Sequence, residues 1–451
     1  MAGFSIENFG CRATEADAAA LRHGLLAGGL AQASGHERAD IVVLNTCTVT
    51  AAADAQAREA VRKIHRANPT ARIVVTGCYA QRAPEELARL AGVAWVVGNA
   101  HQGEIPEIVL RMLEQGGAEH LSTARASTAD FVPLASLGAN ILISGILAHR
   151  AVQVAPAARM AGDRTRPILK IQDGCDSRCA FCVIPSVRGR SRSLTPEEVI
   201  REAQALVAAG AREIVLSGIN LGSYGRDLMP RAGLAALTRR ILQETALEQL
   251  RFSSIEPQDI TEDFVALAAE SSRIAPHFHV PLQSGADRIL RAMHRWYRAA
   301  HYAERVKLIR RLLPDAGIGA DVMAGFPGEA EADFEATMEF IESLPFTYLH
   351  VFSFSARPGT EGARLEGAPP ERVIHERARK LRALGERKAA AFRASQAGRT
   401  VRALTLARGG ENWTEAMAPN YLKVRINGRW PANQWHSVRL GRPENPARPE
   451  P

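Results

Sequence analysis

The run Lys170-Ile171-Gln172-Asp173-Gly174-Cys175-Asp176-Ser177-Arg178-Cys179-Ala180-Phe181-Cys182 places three cysteines within eight residues. Their spacing, C-x-x-x-C-x-x-C, offers three thiolates and no fourth. Structural zinc takes four closed ligands, usually in two C-x-x-C knuckles, and neither a second knuckle nor a histidine pair follows here. Three thiols cannot pair among themselves as disulfides. Cysteine thiolates do hold iron–sulfur clusters, and a four-iron cluster with three protein ligands keeps one iron open. The competing interpretation is three unrelated core cysteines, since free cysteine behaves as a small buried hydrophobe. So tight a spacing in a chain with six cysteines speaks against it.

Around this run the chain alternates strand-like and helix-like segments. Apolar, β-branched runs at 168–171, 213–217, 250–255, 277–281, 318–324 and 348–352 are separated by stretches of helical composition. The first helical stretch is opened by Thr195-Pro196-Glu197-Glu198, a capping box with proline at the first helical position. Six such units predict most of a right-handed parallel (β/α)6 barrel. Polar motifs follow the strands, and barrel enzymes put their chemistry at that face. The cysteine loop follows the first strand, so these motifs are expected around one mouth. Arg188, Arg190 and Arg192, just past the loop, suit phosphate contacts there or else a solvated loop.

Upstream, residues 1–125 read as an open parallel α/β sheet, with strands at 4–9, 41–44 and 73–76. Each ends on a cysteine: Asn-Phe-Gly-Cys11, Leu-Asn-Thr-Cys47 and Val-Thr-Gly-Cys78. Ligands collect at the carboxyl ends of parallel strands, where neighbouring loops converge. Three thiols at three such ends predict a second cluster site, although each cysteine taken singly reads more readily as a small buried hydrophobe than as a ligand. Residues 126–165 form a linker, and 166–394 the barrel with a basic helix at its end. Residues 396–441 turn to short β runs at 400–406 and 421–426, with Gly409-Gly410 and Asn427-Gly428 as turns, and predict a small β-barrel. Trp413, Tyr421, Trp430 and Trp435 are expected mostly in its core, with base stacking as the alternative. Residues 442–451, rich in proline, read as disordered.

The 451 residues carry a net charge of +8, placed unevenly. Between 372 and 393 there are eight Lys or Arg against two Glu, and between 396 and 451 nine against four, so the remainder is about −3. A basic end on a near-neutral body suits a polyanion such as RNA; a solvated helix face is the alternative. The chain opens with no basic start or apolar core. Its longest apolar stretch, 137–148, is interrupted by Asn140 and Ser144 and falls short of the ~20 residues of a membrane span. A cytoplasmic protein without membrane association is expected.

The C-x-x-x-C-x-x-C run resembles the radical S-adenosylmethionine superfamily, in which the cofactor's amino and carboxylate groups fill the open iron site. Asn45-Thr46-Cys47-Thr48-Val49-Thr50, Gly77-Cys78-Tyr79-Ala80-Gln81, Pro281-Leu282-Gln283-Ser284-Gly285 and Gly325-Phe326-Pro327-Gly328-Glu329 extend the likeness to nearly the whole chain. The chain resembles the tRNA methylthiotransferase family, with an N-terminal three-cysteine domain, a radical S-adenosylmethionine barrel and an RNA-gripping TRAM module. Gly218-Ile219-Asn220-Leu221-Gly222-Ser223-Tyr224-Gly225 and Ser253-Ser254-Ile255-Glu256-Pro257 are similar to the branch acting on threonylcarbamoyladenosine. The isopentenyladenosine branch tends to show Gln-Asn-Val-Asn in the first place. Thr14, where the family usually has asparagine, and Ser186, where an aromatic is common, are departures; Asp17 keeps the family's acid.

The resemblance implies two [4Fe–4S] clusters, on Cys11, Cys47 and Cys78 and on Cys175, Cys179 and Cys182. It implies that S-adenosylmethionine meets Phe181 at its adenine, and Asn220, Glu256 and Gln283 at its polar groups; core packing and turn formation are the alternatives. The implied reaction inserts a methylthio group at carbon two of an N6-threonylcarbamoyladenosine beside a tRNA anticodon. The implied partners are the anticodon stem-loop and a low-potential electron donor such as flavodoxin or ferredoxin. Action on isopentenyladenosine tRNA or on a ribosomal protein side chain is the enzymatic alternative, and a non-catalytic iron–sulfur RNA-binding redox sensor the alternative of another class.

Overall fold

The computed structural model describes residues 2–114, 139–152, 165–441 and 448–449. The N-terminal part is a six-stranded parallel sheet of β1 (Gly3–Asn8), β2 (Ala31–Gln32), β3 (Ile41–Thr46), β4 (Arg72–Gly77), β5 (Val93–Val97) and β6 (Asn140–Leu142), in the order β2-β1-β3-β4-β5-β6. β3 and β4 are apolar on both faces because helices cover both, as parallel sheets require. One apolar layer gathers Val42, Leu44, Val61 and Ile73, the other Phe4, Leu25, Val43 and Val109. β6 corrects the expected linker 126–165. Its apolar stretch pairs Trp95 with Asn140 and Val97 with Leu142, extending the sheet instead of crossing solvent; residues 126–138 and 153–164 lie outside the described residues.

The barrel begins at β7 (Ile168–Lys170). A two-residue ladder of β8 (Gln172–Asp173) and β9 (Arg192–Ser193) pinches the base of the cysteine loop. Gly174 makes the pinch possible, at φ +70° and with its Cβ position only 1.9 Å from the Arg190 carbonyl oxygen, where no side chain fits. The wall continues through β10 (Glu213–Ser217), β11 (Gln249–Phe252), β12 (His277–His279), β13 (Gly317–Ala324) and β14 (Tyr348–Ser353). β11-β10-β7 and β12-β13-β14 are parallel sheets, joined by parallel bridges Leu250 to Ile274 and Ser254 to His279. All six expected strands are present. The capping box forms at Thr195, whose hydroxyl accepts from the Glu198 N–H while Glu198 accepts from the Thr195 N–H at 2.8 Å. β7 and β14 end the row and do not pair with each other. Across their gap stands the N-terminal domain, with Ala16 packed on Ile168 beside β7 and the Ala51 N–H bonded to the Ser355 hydroxyl beyond β14 at 3.0 Å.

A helix, Glu371–Ser395, leads to an antiparallel sheet of β15 (Thr400–Gly410), β16 (Trp413–Met417), β17 (Lys423–Asn427), β18 (Trp435–Arg439) and β19 (Arg448–Pro449), in the order β17-β16-β15-β18-β19. β19 lies in the stretch expected to be disordered, and backbone pairing with Val438 and Arg439 is what orders it; residues 442–447 and 450–451 lie outside the described residues. The core of this sheet is Ala403, Ala416, Val424, Ile426, Val438 and Leu440, without any of the four expected aromatics. The small aliphatic side chains fill it. Trp413 lies under the Arg425 guanidinium at 4.5 Å and Trp435 under that of Arg402 at 4.0 Å, while Trp430 is exposed.

Tyr421 goes elsewhere. At φ +72° it turns its ring onto His277, 4.2 Å between centroids, at the amino ends of the barrel strands. There Arg251 donates to the Ala418 and Pro419 carbonyls, and the Cβ position of Gly317 is 2.2 Å from the Asn420 carbonyl oxygen. The C-terminal sheet is thus docked on the end of the barrel opposite the cysteine loop.

Candidate metal centres

The three N-terminal cysteines cap β1, β3 and β4, which are neighbours in the sheet. Gly10 (φ +135°) and Gly77 (φ +98°) turn the chain sharply after β1 and β4; a Cβ on Gly10 would lie 2.7 Å from that of Cys47. Cys47 and Cys78 are buried and Cys11 is exposed. Burial, then the neighbouring Cys78 and Cys11, pushes the Cys47 thiol up from 9.0 to about 12. Burial likewise raises Cys78, against the opposing pull of the Arg188 guanidinium. Two buried thiols whose thiolates are disfavoured without a cation, beside the exposed third, are the donor set an iron–sulfur cluster takes. The residues fit the implied group.

The barrel triad is held in the same way. The Ser177 N–H points at the Cys175 sulfur at 3.4 Å, and Arg295 donates to the Cys179 sulfur at 3.2 Å. Burial first, then Cys179, pushes Cys182 up from 9.0 to about 12. Burial raises Cys179 also, with Arg295 opposing. All six cysteines are free thiols.

The four residues expected to meet the cofactor surround the barrel triad. Phe181 and Gln283 line a cavity of about 210 Å³ together with Cys182, Asp321, Val49 and Phe352. Gln283, at φ +70°, forms a bridge with Val322. Asn220 donates its backbone N–H to the Gln172 side chain at 2.8 Å and brings its amide to 3.9 Å from the Cys175 sulfur, leaving its buried Oδ1 without a protein partner. Glu256 is ion-paired with Arg295, which therefore connects it to Cys179. Burial raises the Glu256 carboxyl, with Arg295 opposing.

Three features were not legible in advance. Arg295 carries no motif. Beneath the cavity Asp321 sits between His279, at 3.0 Å, and His350, at 3.4 Å; burial opposes its ionisation, yet these two hydrogen bonds hold the carboxyl well below the usual range. The third is a correction. Arg188 and Arg192 hold no phosphate and lie in no solvated loop: both are buried between the domains, against Asp173 and, for Arg188, Asp17. Arg190 alone of the three is exposed.

Residues 3–98 match the model of an uncharacterised protein family, UPF0004, and residues 169–341 that of the radical S-adenosylmethionine superfamily. The chain is 34% identical to the threonylcarbamoyladenosine tRNA methylthiotransferase MtaB of Aquifex aeolicus, over 94% of this chain and 96% of that protein. It is 34% identical to the Bacillus subtilis protein of the same name, over 95% and 91%. It is 33% identical to the tRNA-2-methylthio-N6-dimethylallyladenosine synthase of Acidothermus cellulolyticus, over 96% and 81%. Among solved structures, the radical S-adenosylmethionine methyltransferase TsrM of Kitasatospora setae superposes with a TM-score of 0.53 at 16% identity, over 80% of this chain and 77% of that one, a likeness of fold. With two cysteine triads, a barrel that carries one of them and 34% identity to these enzymes over nearly the full length, the chain belongs to the tRNA methylthiotransferase family of radical S-adenosylmethionine enzymes.

Proposed function

We propose that this enzyme inserts a methylthio group at carbon two of N6-threonylcarbamoyladenosine next to a tRNA anticodon. The observation that carries the reading is the cavity that joins Cys182 of the barrel triad to Val49 of the loop that follows Cys47. In it a nucleoside lies between the two metal centres. Cys175, Cys179 and Cys182 hold one [4Fe–4S] cluster and Cys11, Cys47 and Cys78 the other. When bound, the clusters and S-adenosylmethionine supply the hydrogen-abstracting radical chemistry and the sulfur that no side chain provides.

The side chains bind, orient and exclude water. Phe181 offers an apolar face to the cofactor's adenine, while Asn220, Glu256 and Gln283 meet its polar groups. Phe352, 43% exposed, and Val49, 50% exposed, give an unstacked base apolar surfaces at the cavity mouth. Asp321, which lines the cavity between His279 and His350, favours threonylcarbamoyladenosine over an isopentenyl substrate. A threonylcarbamoyl group can donate a hydrogen bond to that carboxylate, and an apolar chain would only cover it.

The anticodon stem-loop is the RNA element that presents such a base. The basic helix, which leads from the mouth to the far end of the barrel, and the TRAM-like sheet beyond it hold tRNA phosphates outside the cavity. Electrons come from a flavodoxin- or ferredoxin-type donor. No helix among the described residues is long and apolar enough to cross a membrane; the site of action is the cytoplasm, where tRNA is found.

Nucleoside mass spectrometry of tRNA from cells lacking the gene tests the substrate. The methylthio-threonylcarbamoyl nucleoside should vanish while the methylthio-isopentenyl nucleoside persists; the reverse result overturns the choice. Reconstituted protein given S-adenosylmethionine and a reductant should release 5′-deoxyadenosine, and its absence would overturn the chemistry and leave a non-catalytic iron–sulfur protein.

A further inference from the structure

Between the two triads lies a closed group of five charged side chains. Lys170, Asp173, Arg188 and Arg192 come from the barrel and Asp17 from the N-terminal domain, and each is at most 8% exposed. Arg188 is its hub. Its Nε points at the Cys78 sulfur at 3.2 Å, its Nη1 donates to Asp173 at 3.1 and 3.2 Å, and its Nη2 donates to Asp17 at 2.7 Å. Lys170 reaches Asp17 and Asp173, and Arg192 lies 3.3 Å from Asp173. Asp173 in turn accepts the N–H of Gly174, the residue before Cys175.

Three cations face two carboxylates, so the group carries one positive charge that neither carboxylate balances. Burying such an excess is costly unless a counter-charge meets it. The only acidic atom among the described contacts of Arg188 beyond those carboxylates is the sulfur of Cys78. A guanidinium aimed at one ligand sulfur across a domain boundary does two things. It fixes the separation of the two metal centres, since Cys78 belongs to one domain and Arg188 to the other. It also stabilises whichever state of the centre carries more negative charge, in a medium that screens little.

We propose that Arg188 is a positioning residue that sets the reduction potential of the N-terminal cluster, drawing it upward through the Cys78 sulfur while locking it in place relative to the barrel cluster. The inference rests on the reading that Cys11, Cys47 and Cys78 hold that cluster. Hydrogen bonding and charge at cluster sulfurs are among the levers that set such potentials. Opposite charges within about 4–6 Å commonly bias an ionisation equilibrium tenfold or more.

The test is a redox titration, followed by electron paramagnetic resonance, on the full-length chain carrying Cys175→Ala, Cys179→Ala and Cys182→Ala, so that only the N-terminal cluster is read. Iron and sulfide in this parent decide the underlying reading: without a cluster there, both it and the inference fall. With a cluster present, Arg188→Met should favour the oxidised form at least tenfold, about 59 mV lower for a one-electron couple. Arg188→Lys, which keeps the charge, should bring the midpoint back toward the parent. Asp17→Asn, which removes the counter-charge and leaves the guanidinium on the sulfur, should move it the opposite way. If Arg188→Met fails to assemble, Asp17→Asn decides alone: a raised midpoint upholds the inference, and an unchanged or lowered one overturns it.

Discussion

Replacing Asp54 by asparagine should loosen the seam between the N-terminal domain and the barrel. Asp54, 5% exposed, accepts from the Thr48 hydroxyl at 2.6 Å and from Arg82 at 2.9 Å. It is also ion-paired with Arg357, 4% exposed, which comes from the segment beyond β14 and donates to the Thr48 hydroxyl at 2.9 Å. The asparagine keeps the shape and removes the charge, leaving two guanidinium groups facing an amide. Breaking a buried pair from one side costs about 3–5 kcal/mol, because the remaining charge stays desolvated. For a domain of this size each kcal/mol lowers Tm by roughly 2–4 °C, so a fall of about 6–20 °C is expected. Calorimetry on the full chain reads it. Arg357→Met alone should be costly too, but the double variant should cost clearly less than the sum, since the second change removes the charge stranded by the first. A fall below about 2 °C for Asp54→Asn, or strict additivity in the cycle, would refute the reasoning.

Two further outcomes follow from the geometry of the triads. Gly77→Ala should empty the N-terminal site: at φ +98° its Cβ would lie 2.3 Å from the Thr46 carbonyl oxygen and 2.6 Å from the Thr46 nitrogen, so β3 and β4 must part beside Cys47 and Cys78. The variant should hold about half the parent's iron by colorimetric assay, and a full complement would contradict this steric account. The second outcome concerns pH. Native Cys47 and Cys182, each pushed from 9.0 to about 12, keep their protons where unfolded thiols have lost them. Their contribution to the metal-free fold is therefore complete below about pH 9 and lost as pH rises through about 12. The melting temperature of the metal-free parent should fall across that window more steeply than that of a Cys47→Ala, Cys182→Ala variant; parallel curves would show that the thiols are not held neutral.

Strand positions in the barrel were legible because parallel strands buried on both faces are short apolar runs between helical stretches, and 213–217 and 318–324 read almost as they fold. The N-terminal triad was legible for a different reason: Cys47 and Cys78 directly follow their strands and Cys11 lies just past the end of its own, and adjacency in a sheet does the rest. Local pattern could not say which distant partner satisfies a charge. Arg188 and Asp17 lie 171 residues apart, and only the docking of two domains decides that this arginine faces a carboxylate and a sulfur instead of phosphate. Tyr421 shows the same limit. An aromatic near a β turn reads as barrel core, but its left-handed backbone points the ring out of the small sheet and into the next domain. β6 was hidden because three residues at the edge of a sheet carry too little periodicity to stand out from a linker.

The unpaired edges of β7 and β14 have a consequence for what this enzyme can hold. A barrel whose wall runs the full circle admits only what fits down its mouth, and a nucleotide within a long polymer has chain on both sides and no free end to lead with. Here the side left open is filled by the N-terminal domain, packed on both free edges, so that two domains share the rim and loops from each can meet one target and the nucleotides that flank it. The missing strands make room for a second domain at the mouth.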